Sequence, residues 1–424
     1  MSVPAISATG AKPKILIFAT THWISTARLA MTLATLGCEV DLTAPKNHPA
    51  LSTDNIISHH TYWPMRPLAG LRRALRKSRP DLLLLADELS FLLVEQLVHW
   101  AKVAGTGEAE AILALLRRSF GNVENLPLSR SRMDLLSAAE RAGVSIPHTV
   151  ALRSKKDLKV AEAAGSGPWM LKADATWGGF GVRKVSDPTR LFATWKRLQR
   201  PLNLPQSLKR GWSGKEWGHL HLWLQGSKRD VIAQGFVQGK ERTGLVVCSQ
   251  GQIWAAVCFE VEETCYPNGP ASVVRVIDDH DMIDSMQRTV KALGISGFCG
   301  FDFMLDAETG KPLLLEMNTR PTQLAHLPLG TGRDLCAALV REVLGRTEIT
   351  DRANAATASL VALFPQAIQR NSPHARSAET FHDVPWAAPR LMQLAVIPSK
   401  LPATLLADPK WQGGLQDIPV FSGP

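Results

Sequence analysis

Two carboxylates and a carboxamide stand where buried strands would end. Glu316 and Asn318 follow three leucines in LLLEMNTRPTQLAH (residues 313–326), and Asp302 lies in GFCGFDFMLD (residues 297–306). A carboxylate at the end of an apolar strand loses hydration and needs a compensating partner. In extended chain, residues i and i+2 share a face, so Glu316 and Asn318 project together. A turn at Glu308–Lys311 would close the two segments into a hairpin, with Asp302 facing them at roughly 5 Å. Two carboxylates and one amide oxygen are hard donors suited to magnesium or manganese, which keep other positions for water and phosphate oxygens. The bland alternative is a solvated hairpin, and the apolar neighbours Phe301, Phe303, Leu313 and Leu315 fit both.

Two further stretches carry chemistry. Lys172 sits in the short strand WMLKAD, just before a loop containing Gly178, Gly179 and Gly181. Glycines let backbone amides approach phosphate oxygens, and a lysine on the adjoining strand adds a point charge. The Walker pattern GxxxxGK[ST] is absent, and a glycine-rich turn is the competing reading. Residues 233–241, AQGFVQGKE, combine an apolar strand end bearing Gln234 with a glycine turn, which suits a purine pocket and equally suits an ordinary strand and turn.

The elements that must position these groups follow from periodicity. KILIFAT, CEVDLTA and RPDLLLLAD read as strands alternating with helices, so residues 13–125 form βαβ units of a parallel sheet. No GxGxxG follows the first strand, where THWIS stands instead. Ser131 caps a helix that Gly143 stops. VIAQGFV, TGLVVCSQ, QIWAAVCFEVEET and ASVVRVI read as successive strands, with a hairpin at Gln250-Gly251. Residues 200–218, rich in Pro, Gly, Ser and Lys, read as an ordered loop or insertion, and GRDLCAALVREVLG as an amphipathic helix.

At 424 residues the chain exceeds one ordinary core. Its 45% hydrophobic and 20% charged content is that of a packed soluble protein. The net charge of +10 is scattered, densest at Arg72, Arg73, Arg76 and Lys77. No basic run interleaves with aromatics, which argues against nucleic acid. The six cysteines show no CxxC pair or zinc spacing and read as core residues of a reducing compartment. LLLLADELSFLLVEQLVHW carries Asp87, Glu88 and Glu95, so it is no membrane span. A cytoplasmic protein without membrane partners is expected.

The order of lysine strand, glycine-rich loop, purine-type strand, D-F-M and then L-E-M-N-T-R resembles the ATP-grasp superfamily across roughly residues 130–345. The resemblance implies an ATP-grasp fold, mixing α/β and α+β parts, behind an N-terminal Rossmann-like domain. The expected divisions are a flexible 1–12, the N-terminal domain 13–125, a small subdomain with the glycine-rich flap 126–230, a large subdomain with the nucleotide and metal site 231–348, and a Pro-rich extension 349–424 packing on the core. It implies ATP and Mg2+ or Mn2+ as cofactors. Lys172 would contact the α- and β-phosphates, Gly178, Gly179 and Gly181 would form the flap, and Gln234, Phe236 and Val237 would line the adenine. Many relatives have an acid where Gln234 stands. Glu241 would be the ribose- or adenine-side acid, and Asp302, Glu316 and Asn318 would hold the metal. Arg320 would stabilise the transferring phosphoryl group. Arg132 would substitute for a second nucleotide lysine that this chain lacks.

The implied reaction is ligation: a small-molecule carboxylate attacks ATP, and an amine displaces phosphate from the acyl phosphate. From the residues themselves, Arg275 could clamp the substrate carboxylate or be a solvated strand arginine. Glu260 or Glu262 could receive an ammonium or lie on an exposed strand face, and His326 could meet the nucleophile or cap the following segment. A homodimer is compatible with this reading. The alternatives are a biotin-carboxylase-like enzyme activating bicarbonate, although the acid that subgroup carries after the arginine is missing from PTQLAH, and a non-catalytic ATP-binding regulator.

Overall fold

A computed structural model of the protein describes residues 11–163, 167–174, 176, 181–200, 203–213, 220, 223, 226, 228–267, 269–353 and 358–395. Fifteen strands among these residues build three sheets. The first holds β1 (Lys14–Phe18), β2 (Glu39–Ala44), β3 (Ser58–Thr61) and β4 (Leu82–Leu85), all parallel in the order β3-β2-β1-β4. KILIF and LLLL are apolar on both faces because helices cover both sides. The sheet reverses its winding between β1 and β4, where α/β folds open a crevice at the strand ends.

The second sheet is antiparallel: β5 (Thr149–Ala151), β6 (Trp169–Ala173), β7 (Val182–Val185) and β8 (Val231–Gly235), ordered β5-β8-β6-β7. The third has seven strands: β9 (Gly239–Ser249), β10 (Gln252–Thr264), β11 (Ala271–Ile277), β12 (Gly297–Asp306), β13 (Pro312–Asn318), β14 (Leu360–Leu363) and β15 (Thr380–Asp383), ordered β13-β12-β9-β10-β11-β14-β15. Gln250 and Gly251 both take positive φ, 51° and 80°, as the tight β9–β10 turn requires.

Two local expectations change. Residues 200–218 are not simply a loop, since Leu204–Ser213 is a helix. The amphipathic segment near 340 is a short α-helix, Leu335–Ala338, that widens into a π-turn over Leu339–Val343.

The segment beyond residue 357 closes the molecule. β14 pairs with β11, and β15 carries Asp383 beneath the N-terminal helix Ile24–Thr35. There Asp383 meets Arg28 in a buried ion pair, and His326 Nε2 lies 2.9 Å from Asp383 Oδ1. Asp383→Ala should therefore cost about 3 kcal/mol or more, because it strands a buried guanidinium. Denaturant unfolding measures this, and a loss below about 1 kcal/mol would refute it. The pH dependence has a fixed sign. Burial pushes His326 below the ordinary imidazole value. Burial alone would raise Asp383, but Arg28 and His326 outweigh it and hold the carboxyl low. Both groups bind fewer protons folded than unfolded, so the cluster's contribution is full above about pH 6.5 and is lost progressively as pH falls through about 4.

Candidate functional site

The hairpin β12–β13 forms in the expected register. Asp302 stands directly opposite Glu316, and Gly300 opposite Asn318, with a bulge between Asp302 and Phe303. Gly300 is a glycine for a reason: a Cβ there would lie 2.4 Å from Thr322 Cγ2, so only glycine lets the TRPTQ turn settle against β12. That turn carries Arg320, whose Nη2 donates to Asn318 Oδ1 at 3.3 Å. Its guanidinium lies 5.1 Å from the Trp23 ring in the loop after β1, and its Nε is buried without a hydrogen-bond partner.

Across β12, Thr243 of β9 faces Asp302, and Glu241 lies two residues along on the same face. Two half-buried carboxylates, Asp302 and Glu316, thus lie on one face with the more exposed Glu241. Burial pushes Asp302 well above its ordinary value, with Glu316 and Glu241 adding repulsion. Burial also raises Glu241, which Lys172 partly opposes. Lys172, only 7% exposed on β6, is lowered to about 8 by burial and the Arg132 charge, while Glu316, Asp302 and Glu241 pull it back up. It stays protonated at neutral pH.

Arg132 opens the helix Arg132–Arg141, whose N-cap Ser131 accepts from the Asp134 backbone N–H. Its Nε and Nη2 donate to Glu316 Oε2 at 3.2 and 3.1 Å, and its Nη1 donates to Ala173 O at 2.6 Å and Asp174 Oδ1 at 3.3 Å. Burial alone would raise Glu316, yet Arg132 and Lys172 outweigh it and hold it below the usual range.

Gln234, buried at the end of β8, donates through Nε2 to Thr149 Oγ1 at 3.3 Å. Phe236 donates its backbone N–H to Pro168 O and carries Lys184 Nζ 3.6 Å from its ring centre. Val237 follows in the connection to β9. Gly181 packs so closely on Thr176 that a Cβ would lie 2.1 Å from its Oγ1. Gly178 and Gly179 lie outside the described residues.

Asp302, Glu316, Asn318, Arg320, Lys172, Glu241 and Arg132 therefore gather in one place. Four other candidates do not join them. Glu260 pairs with Arg242, and Arg242 with Phe303, which puts Glu260 on the opposite sheet face from Asp302. There Glu260 binds Lys240 Nζ at 2.7 Å and Arg242 Nη2 at 3.1 Å. Arg275, opposite Glu260, binds Glu262 at 2.5 Å, so both are engaged with each other. His326 is enclosed with Arg28 and Asp383.

Glu88 is the residue that motif reading passed over. It opens the helix Glu88–Ala104 after β4, at the winding reversal. Asp87 before it accepts from the backbone N–H groups of Thr21 and Ser90 at 3.0 and 2.9 Å, fixing the crevice floor. Burial raises Glu88, and Arg320, Arg132 and Arg130 partly oppose this. Its carboxylate makes no ion pair among the described residues. A narrow cavity lined by Glu88, Arg130, Arg132, Thr176, Glu316 and Asn318 joins it to the hairpin. No helix among the described residues is long and apolar enough to cross a membrane.

Residues 210–323 match the model of the ATP-grasp domain family. No curated protein sequence matches the chain. Among solved structures it is similar to the Campylobacter jejuni biotin carboxylase in its β,γ-ATP complex, at 16% identity and TM-score 0.56, covering 78% of this chain and 71% of that one. It is similar to an L-amino acid ligase from Bacillus licheniformis at 15% identity and TM-score 0.52, covering 79% and 75%. A third is N5-carboxyaminoimidazole synthase from Aspergillus clavatus, complexed with ADP and 5-aminoimidazole ribonucleotide, at 15% identity and TM-score 0.56, covering 79% and 77%. The chain carries an ATP-grasp domain in an ATP-grasp fold, with a Rossmann-like parallel sheet at its N-terminal end.

Proposed function

We propose that the protein is an ATP-dependent ligase that activates a small-molecule carboxylate as an acyl phosphate and couples it to an amine, releasing ADP and phosphate. The observation that carries this reading is the meeting of half-buried Asp302 and Glu316 and the more exposed Glu241 with buried Lys172 and half-buried Arg132 and Arg320. Repulsion from Glu316 and Glu241 leaves Asp302 short of countercharge. The hard oxygen donors of Asp302, Glu316 and Asn318, brought to one face by the hairpin register, suit a divalent cation. Magnesium or manganese held by Asp302, Glu316 and Asn318 supplies positive charge to the phosphoryl oxygens when bound.

The chain's own groups do the rest. Lys172 holds phosphate oxygens as a desolvated point charge. Gln234, Phe236 and Val237 line the adenine beside β8, and Glu241 serves the ribose side. Arg320, kept beside Asn318 and against Trp23, aims its planar fork at the phosphoryl group in transfer. Gly178, Gly179 and Gly181 let the flap close and exclude water from the acyl phosphate. Glu88, a carboxylate without an ion-pair partner among the described residues and facing the same cavity, receives the amine and orients it for attack. The substrate role thus passes to Glu88, because Arg275, Glu260, Glu262 and His326 are engaged elsewhere.

The test is product analysis with magnesium and ATP against panels of carboxylates and amines, with bicarbonate as a separate arm. ADP and phosphate released only when carboxylate and amine are both present are expected. AMP release would overturn the acyl-phosphate route, and turnover with bicarbonate alone would move the substrate assignment to that anion.

A further inference from the structure

Arg132 holds both sides of the cleft at once. Ala173 ends β6, the strand that carries Lys172, Asp174 follows it directly, and Glu316 belongs to β13 of the seven-stranded sheet. One guanidinium spans them: two donors converge on the single oxygen Glu316 Oε2, while Nη1 reaches Ala173 O and Asp174 Oδ1. The span is well buried, with Arg132 13% exposed and Asp174 9%. Two donors on one oxygen use the lone pairs that a divalent cation would need there. A guanidinium and a divalent ion on one carboxylate also repel each other.

We propose that Arg132 is a positioning residue that clasps the two sides of the cleft in the absence of a cation and gives up Glu316 when the cation arrives with nucleotide. This inference rests on the function proposed above. Arg132 does not have to leave β6 to do so, since its backbone N–H also faces both Asp174 oxygens at 3.4 Å. Only the Nε and Nη2 bonds are exchanged, and a phosphate oxygen in the cleft accepts them in turn. Cation and nucleotide are then coupled: a cation alone must break the clasp without compensation, whereas the pair arriving together offers Arg132 a replacement partner.

The experiment compares wild type with Arg132→Lys and Arg132→Met. Mn2+ binding without nucleotide is followed by the electron paramagnetic resonance of the free ion, and MgADP binding by calorimetry. A lysine ammonium cannot place two donors on Glu316 while holding Ala173 and Asp174. Both variants should bind Mn2+ alone about tenfold more tightly than wild type, with no gain in MgADP affinity. If Arg132→Met fails to fold, Arg132→Lys decides alone. Unchanged or weaker Mn2+ binding in the variants, while wild type binds MgADP, would overturn the clasp and leave the nucleotide site standing. A wild-type protein that does not bind MgADP at all would overturn both.

Discussion

Glu316→Gln should abolish turnover, lowering ADP release by roughly a thousandfold or more, while the protein stays folded. Glutamine keeps the shape of the side chain and one oxygen acceptor but removes the charge. That charge has two uses: it faces Asp302 across the hairpin, and it accepts both donors from Arg132. Without it, the proposed cation site would lose one of its two carboxylates, and Arg132 would be left to Asp174. The far-ultraviolet circular dichroism should be unchanged, because Glu316 is near the end of β13 and its side chain is 27% exposed. A variant retaining more than about a tenth of wild-type turnover would remove Glu316 from the metal set.

The second large effect falls on a different step. Arg320→Ala should lower turnover by roughly 10²- to 10³-fold, the cost of removing one donor aimed at developing charge. Nucleotide affinity should change little, since on the proposed reading it is Lys172 and the β8 segment that hold the nucleotide. Arg320→Lys should recover only part of the loss, because an ammonium cannot reproduce the planar fork. Product formation in a single turnover, measured beside ADP binding, separates the two effects. Equal losses in affinity and turnover would place Arg320 on the bound nucleotide rather than on the transferred group.

The hairpin was legible because two local signals agreed: two short apolar strand segments and a turn of fixed length between them. The turn's register alone, with Phe303 opposite Leu314, would set Asp302 opposite Leu315. The bulge between Asp302 and Phe303 is what brings Glu316 to face it, and no local pattern announces that bulge. Alternation does not reveal the phase of a more distant strand. Glu260 and Arg275 looked equivalent to Asp302 in their own segments, but a one-residue difference in phase sends a side chain to the other face. The phase is set by pairings of β10 with β9 and of β9 with β12, which leave no mark within either segment. Arg132 was legible as a cation at the right helix start, but not its capture by Glu316 and Asp174, 184 and 42 residues away. Glu88 was invisible for a further reason: an acid in the first turn of a helix is ordinarily explained by the helix dipole. Its significance comes from where β4 sits in the parallel sheet.

The pairing of Arg28 with Asp383 joins residues 355 positions apart. On the ribosome, at roughly 5–20 residues per second, the first sheet would wait about 20–70 s for that partner. Until then Arg28 lacks its counterion, and β11 presents an open edge to neighbouring chains on the polysome. β14 and β15, the latest-synthesised strands among the described residues, are thus the ones that end this exposure. Synonymous codon changes that slow translation between β11 and β15 should lower soluble yield without altering the finished protein.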